Sequence, residues 1–293
     1  MDNRSFLPGQ NWLYFKIYCG FNTSDEIISK ILYPFSNRLI DNRIAKKWFF
    51  IRYADPHSHI RFRIKLHNGN NNGLVINEFS NIVKPYFDEE FIWNVKIDTY
   101  NREIERYGKD TIDLCEDLFM HDSNAIAQSI PFLEETNNAN ESRWIWAFLM
   151  LDSSLSILSE NTEEKMKFIT HCKDFYSIEF NYNNTMKVNF DTKFRRYRGT
   201  LTSAIESSLF DSSMTNLIDT KQVNTTPIIA EIRKRATPAQ YLSLATSINH
   251  MMINRIFRTK QRLNEFALYQ ILHRYHISTM AKEKYAAKNS MTY

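Results

Sequence analysis

The stretch His59-Ile60-Arg61-Phe62-Arg63-Ile64-Lys65-Leu66 constrains this chain more than any other. Ile60, Phe62, Ile64 and Leu66 alternate strictly with His59, Arg61, Arg63 and Lys65. Successive side chains of a strand point to opposite faces, so the spacing predicts a strand with one core face and one strongly basic face. A helix would scatter both sets around its circumference. A strand of this kind needs neighbours, and the first half of the chain offers them. Trp12–Cys19 and Trp48–Tyr53 are aromatic-rich and suit a pleated, half-buried surface, and Phe91–Thr99 reads as a further strand. Asp25–Leu32 reads as a short helix, 54–58 as a turn and His67–Gly73 as a loop tip.

The second half changes period. Asp110–Ile130 has apolar residues near helical spacing, and Ser142–Leu158 is apolar almost all round, which places it in the core. Asn161 followed by Glu164 resembles a capping box, and Thr237-Pro238 is a helix start, with helices expected from Pro238 to about Arg258 and over Leu263–Tyr275. The polar stretch Asp211–Thr226 reads as a mobile connection. Strands followed by helices predict an α+β fold: a mixed or antiparallel sheet mainly from the N-terminal half, packed with helices mainly from the C-terminal half. With 6 Gly and 7 Pro in 293 residues there is little material for linkers, so one domain over 1–293 is expected.

Charge and cysteine usage exclude several classes. Lys and Arg number 37 against 33 Asp and Glu, too even a balance to predict nucleic-acid binding, and the basic groups at Lys193–Arg198 and Arg255–Arg262 read as solvated surface. Cys19, Cys115 and Cys172 are sparse and far apart, which fits a reducing cytoplasm and no metal cluster. No apolar stretch follows Met1-Asp2-Asn3-Arg4, so no signal peptide is expected. The run Trp144–Leu151 is far short of the roughly 20 residues that a membrane-spanning helix needs.

Three constellations can carry chemistry. Arg61 and Arg63 lie about 6.6 Å apart along a strand and point the same way, which suits a ligand with two carboxylates or a carboxylate and a carbonyl. The bland alternative is the solvated outer face of a sheet. Glu103 and Arg106, in Tyr100-Asn101-Arg102-Glu103-Ile104-Glu105-Arg106-Tyr107-Gly108, share a side if that stretch is helical, where an ion pair of this type is commonly structural. On the helix after Pro238, Ser243, Ser247, His250, Asn254 and Arg258 form one stripe beside an apolar face of Leu244, Ile248, Met252 and Ile256. A His there can exchange protons near neutral pH, or simply be structural. His57-x-His59 has metal-like spacing without a carboxylate or Cys partner, so no metal is expected.

Several segments together resemble one family. Asn11–Tyr18, Trp48–Pro56 and His59–Arg63 resemble the start of the thiopeptide-type bacteriocin biosynthesis domain. Tyr100–Gly108 followed by Asp122-Ser123, and Ile248-Asn249-His250-Met251-Met252-Ile253-Asn254-Arg255, resemble its later motifs in the same order, over about residues 11 to 275. That family includes the elimination domain of class I lanthipeptide dehydratases and the pyridine synthases of thiopeptide pathways. The resemblance implies expulsion of glutamate from glutamylated Ser or Thr of a precursor peptide, leaving dehydroalanine or dehydrobutyrine. It also admits a formal cycloaddition of two dehydroalanines, or a non-catalytic member that binds leader peptide. Residue by residue, it maps catalysis onto Arg61 or Arg63, Glu103, Arg106 and His250; both Arg61 and Arg63 are carried as catalytic candidates, and Arg52, His59, Asn254 and Arg255 are the expected substrate contacts. It implies no cofactor. The partners it implies are a precursor peptide, with leader and glutamylated core, and a separate glutamyl-tRNA-dependent glutamylating enzyme. It implies no direct nucleic-acid contact by this chain, and it is compatible with a homodimer.

Overall fold

The computed structural model describes residues 4–206 and 209–290, so the first three residues, which bear on the absence of a signal peptide, lie outside the described residues. The fold is α+β, with its strands in the N-terminal half. Strands β1 (Ser5–Phe6) and β2 (Trp12–Cys19) lead into α1 (Thr23–Glu26), which runs through a π-helical stretch, Ile27–Leu32, into α2 (Tyr33–Asp41). Then come β3 (Ala45–Ala54), β4 (Ser58–Leu66), α3 (Asn72–Asp88), β5 (Ile92–Ile97) and β6 (Tyr100–Asn101). Helices α4 (Ile104–Tyr107), α5 (Ile112–Glu134), α6 (Ala139–Leu158), α7 (Thr162–Glu179), α8 (Asn184–Ile205), α9 (Ser212–Arg235), α10 (Pro238–Ile256) and α11 (Gln261–Ser290) complete the described chain.

By their contacts the residues group into two compact units: residues 1–139 with 217–259, and residues 140–216 with 260–293. The first unit holds a four-stranded antiparallel sheet in the order β3-β4-β2-β5, and β1 pairs with β6 in a separate ribbon. The expected alternation of β4 is realised: Ile60, Phe62, Ile64 and Leu66 are buried on one face, where Phe62 and Phe15 meet Phe79 of α3. The loop read at 67–73 ends early, because Val75, Phe79 and Val83 recur at helical spacing and α3 starts at Asn72 to cover that face. The free edge of β3 is covered. Ser123 of α5 accepts from Phe50 N at 3.2 Å and Asn254 of α10 accepts from Arg52 N at 3.1 Å, so those edge N–H groups are satisfied.

The connection expected at Asp211–Thr226 is instead part of α9. Its buried stripe runs Lys221, Thr225, Ile229, Ile232, and two of those four are polar, so the hydrophobic periodicity is masked in the sequence. Lys221 is held by Asp122 at 3.2 Å and lies 3.6 Å from the Met252 sulfur. The start of α10 is as expected, a full capping box in which Thr237 and Gln240 exchange hydrogen bonds.

The second unit is helical, from α6, α7, α8 and α11. Tyr176 stacks on Tyr269 and Phe180 on Phe266, while Asp152 binds both His276, at 2.6 Å, and Lys165, at 2.7 Å. None of the residues singled out for chemistry lies in it. Among the described residues no helix is long and apolar enough to cross a membrane, and no group of His, Cys, Asp and Glu could hold a metal ion.

Candidate active site

Pairing register assembles the basic face row by row. Across β2, β4 and β3 the rows are Tyr18–His59–Tyr53, Lys16–Arg61–Ile51, Tyr14–Arg63–Phe49 and Trp12–Lys65–Lys47. This face is not simply solvated. Arg63 is 8% exposed, with its guanidinium 4.4 Å from the Tyr14 ring centre, 4.9 Å from Tyr100 and 5.4 Å from Phe49. Arg61 lies 3.4 Å over the Tyr53 ring and its Nε donates to His59 Nε2 at 3.3 Å. His59 Nδ1 meets the carbonyl of His57 at 2.9 Å, so both ring nitrogens are occupied and a metal role at His57-x-His59 has no free ligand atom on His59. Burial pushes the His59 pKa below its ordinary value, which keeps the ring neutral and able to accept from Arg61.

Charge pairing separates the cations of this face into two sets. Lys16 binds Asp98 at 2.5 Å, Lys65 binds Asp113 at 3.1 Å, and Lys47 binds Asp117. Arg61, Arg63 and the exposed edge residue Lys96 have no carboxylate partner among the described residues. The Arg63 Nε is buried without a hydrogen-bond partner. A buried guanidinium is ordinarily paired, because desolvating it alone is costly. Two neighbouring arginines without a counter-charge have the chemistry to receive an anion.

The second constellation meets the third. Residues 103–107 form a helical turn, with Arg106 N bonded to the Glu103 carbonyl at 3.0 Å. The turn closes on Gly108 at φ +71, where a Cβ would lie 2.8 Å from Thr111 Oγ1. Glu103 and Arg106 therefore share a side, 3.4 Å apart, and Arg106 Nε donates to Ser247 Oγ of α10 at 3.1 Å. His250, half-buried, lies about one turn further along the same stripe, and Asn254, bonded to the β3 edge, lies one turn beyond it. The stripe bearing His250 is thus fixed on one side by Arg106 and on the other by the sheet.

Two of the expected substrate contacts sit elsewhere. The register places Arg52 opposite Ile60, on the apolar face, away from Arg61 and Arg63. Its guanidinium is committed to Ser24, Asp25 and the Arg255 carbonyl. Arg255 is wholly buried over the Phe119 ring, where Nη1 donates to the Met251 carbonyl and desolvation lowers its pKa to about 10. Arg52 thus ties β3 to α10, and Arg255 packs α10 against α5. A buried network escapes the sequence reading altogether: Arg102 binds Glu116 at 2.8 and 2.7 Å and Asp113 at 2.7 Å, and Tyr100 OH donates to Glu116 at 2.9 Å. Burial raises the Glu116 pKa, against Arg102, which opposes it. The signal was Glu116 itself, a carboxylate on the buried stripe Ile112, Cys115, Glu116, Phe119 of α5.

The model of the lantibiotic biosynthesis dehydratase C-terminal family matches residues 12–276. The chain belongs to that family. It is 30% identical over 188 residues to the nisin biosynthesis protein NisB of Lactococcus lactis subsp. lactis, an alignment covering 57% of this chain and 18% of that protein. The curated relatives that it matches are much longer, and the chain spans about a fifth to a quarter of their length. The fold is shared with the tRNA-dependent lantibiotic dehydratase MibB from Microbispora sp. 107891. There the TM-score is 0.75 at 14% identity, over 94% of this chain and 29% of that one. It is also shared with TbtD, the pyridine synthase from thiomuracin biosynthesis, with a TM-score of 0.68 at 9% identity over 92% and 98% of the two chains. The family match runs through β4, α4 and α10, the elements that carry Arg61, Arg63, Arg106 and His250.

Proposed function

We propose that this chain is a lyase of ribosomal peptide biosynthesis that eliminates glutamate from glutamylated Ser or Thr of a precursor peptide. The observation that carries the reading is the charge sorting on the sheet: Arg61 and Arg63, side by side, lack the carboxylates that the paired lysines beside them possess. Elimination generates negative charge twice, on the enolate of the residue losing its Cα proton and on the glutamate carboxylate that departs. Preorganised cations in a partly dry site stabilise such charge better than water does.

In this mechanism His250 takes the Cα proton, the Cα–Cβ double bond forms, and the Cβ–O bond breaks to release glutamate. The products are dehydroalanine or dehydrobutyrine and free glutamate, with no electrons gained or lost, so the chemistry asks for no cofactor. Arg61 and Arg63 meet the enolate charge. Arg106, oriented by Glu103 and Ser247, meets the departing carboxylate. Removal of one such donor typically costs about 10²–10³ in rate. The glutamyl group is installed by a separate glutamyl-tRNA-dependent enzyme, and the reaction is cytoplasmic.

The test is mass spectrometry of the precursor peptide after co-expression with its glutamylating enzyme. Without this chain, species heavier by about one glutamyl residue accumulate. With it they become dehydrated, and His250→Ala restores the accumulation, since a positioned base contributes about 10²–10⁴-fold. Dehydration that proceeds equally in its absence rejects the lyase reading, and cyclised product would then point to pyridine synthesis.

A further inference from the structure

The two edges of the four-stranded sheet are treated differently. At one, Ser123 and Asn254 cover β3; at the other, β5 pairs with β2 alone among the described residues. Just past β5, Asp98 N donates to the Tyr14 carbonyl at 2.9 Å. Every second residue of an antiparallel pair bonds inward, so Lys96 and Asn94 also bond to β2, while Val95 and Ile97 turn their N–H and C=O groups outward. Those outward groups have no partner among the described residues. An unpaired row of this kind is a template for another strand.

The faces beside this edge differ in chemistry. On the apolar face a groove of about 530 Å³ runs between β5 and α3, walled by Ile76, Val83, Phe87, Trp93 and Ile97, the last three exposed. On the opposite face Lys96 stands in the row Lys96–Lys16–Arg61, 5.4 Å from the Tyr18 ring centre and without a carboxylate partner among the described residues. We propose that β5 is the docking edge for the precursor peptide, which adds as a fifth strand with apolar side chains in the groove and an acidic side chain at Lys96. The proposal rests on the elimination reading for taking that peptide as the substrate.

In strand addition the backbone supplies affinity and alternate side chains supply specificity. Residues two apart on a strand share a face, so the docked segment reads apolar–acidic–apolar. A second copy of the chain fits this edge less well. Pairing Val95 with Ile97 of a second β5 would set Lys96 directly opposite Lys96, and like charges so placed are destabilising. The reach to the arginines suits a peptide. Neighbouring strands are about 4.8 Å apart, so an added strand lies roughly 14 Å from β4, which carries Arg61. An extended chain covers about 3.3 Å per residue, so the reacting Ser or Thr lies about four or five residues beyond the docked segment. The edge holds the peptide, and the arginines meet the ester.

The test is fluorescence polarisation of the full chain with a labelled probe, Val-Thr-Val-Glu-Val-Thr-Val, and with the same peptide carrying Lys in place of Glu. Two further probes are N-methylated on alternate amides, in the two possible phases. The Glu probe should bind saturably, with one methylated phase losing binding and the other keeping it. Ile97→Pro removes an outward N–H at an edge position that tolerates Pro, and should weaken the Glu probe about tenfold. Lys96→Glu should reverse the preference between the Glu and Lys probes, with thermal melts showing both variants folded. In elimination, Ile97→Pro should act on KM for the glutamylated precursor more than on kcat, as loss of uniform binding does. No saturable binding up to about 1 mM, or equal binding by both methylated phases and both variants, overturns the docking edge. A dimer in sedimentation that Ile97→Pro dissociates overturns it in favour of a second copy at β5. If the wild type eliminates glutamate but the edge variants leave KM unchanged, the docking edge alone fails. If the probes bind in the expected pattern but nothing is eliminated, the edge stands and the lyase reading falls.

Discussion

Arg63 and Arg102 are a matched pair whose replacement by Met should have opposite consequences. Each is 8% exposed. Arg102 is bound to Glu116, itself fully buried, and to Asp113, all within 2.8 Å. Arg102→Met strands a buried carboxylate, and breaking such a pair costs about 3–5 kcal/mol. At roughly 2–4 °C per kcal/mol for chains of this size class, the melting temperature should fall on the order of 10 °C. Arg63→Met strands no carboxylate. It removes a buried Nε that lacks a partner, a defect worth about 1–3 kcal/mol. Against that, it forfeits cation–π contacts with Tyr14 and Tyr100, each worth about 0.5–2 kcal/mol. The two effects oppose, and the net change in stability should stay within about 1 kcal/mol. The elimination rate should nonetheless fall by about 10²–10³, the equivalent of 2.7–4 kcal/mol at the transition state. Thermal melts and single-turnover mass spectrometry on the two variants separate the outcomes. If Arg63→Met destabilises as much as Arg102→Met while the folded fraction eliminates normally, Arg63 is structural and the charge-sorting argument fails.

Three smaller effects follow from the same geometry. His59 has its pKa lowered by burial, so the unfolded chain binds its proton more readily; stability contributed by neutral His59 is full above the unfolded value near 6.5 and is lost as pH falls through the lower folded value. His59→Gln should therefore flatten part of the slope of urea midpoint against pH in the acid range, and an unchanged slope counts against a buried neutral His59. Asn254→Ala leaves Arg52 N–H on the β3 edge without its acceptor; a loss of about 1–3 kcal/mol and faster hydrogen exchange at that amide are expected. Gly108→Ala forces a side chain into φ +71 against Thr111 Oγ1 and should cost about 1–2 kcal/mol while lowering elimination through the displaced Arg106; normal stability and rate would show that the turn tolerates a Cβ.

The strand at His59–Leu66, its two faces and the α10 start are legible in the chain before it folds, because a period of two and a Thr-Pro cap are local properties that need no partner to be read. Helical spacing likewise put His250 on the stripe that includes Ser247 and Asn254, whereas Glu103 and Arg106 share a side only because the stretch folds as a helical turn. Local spacing cannot say where a charge finds its counter-charge. The fold brings Asp98, Asp117 and Asp113 to Lys16, Lys47 and Lys65, and among the described residues it brings no carboxylate to Arg61 or Arg63. It sent Arg52 to the opposite face through a one-residue offset along β3, and it made Arg102 and Glu116 a buried pair from positions 14 residues apart. It also turned the polar stretch at 212–226 into helix, because Lys221 can be buried once Asp122 of another helix meets it. Burial of a charged group depends on partners brought by the fold, and that is the information a single strand or helix does not carry.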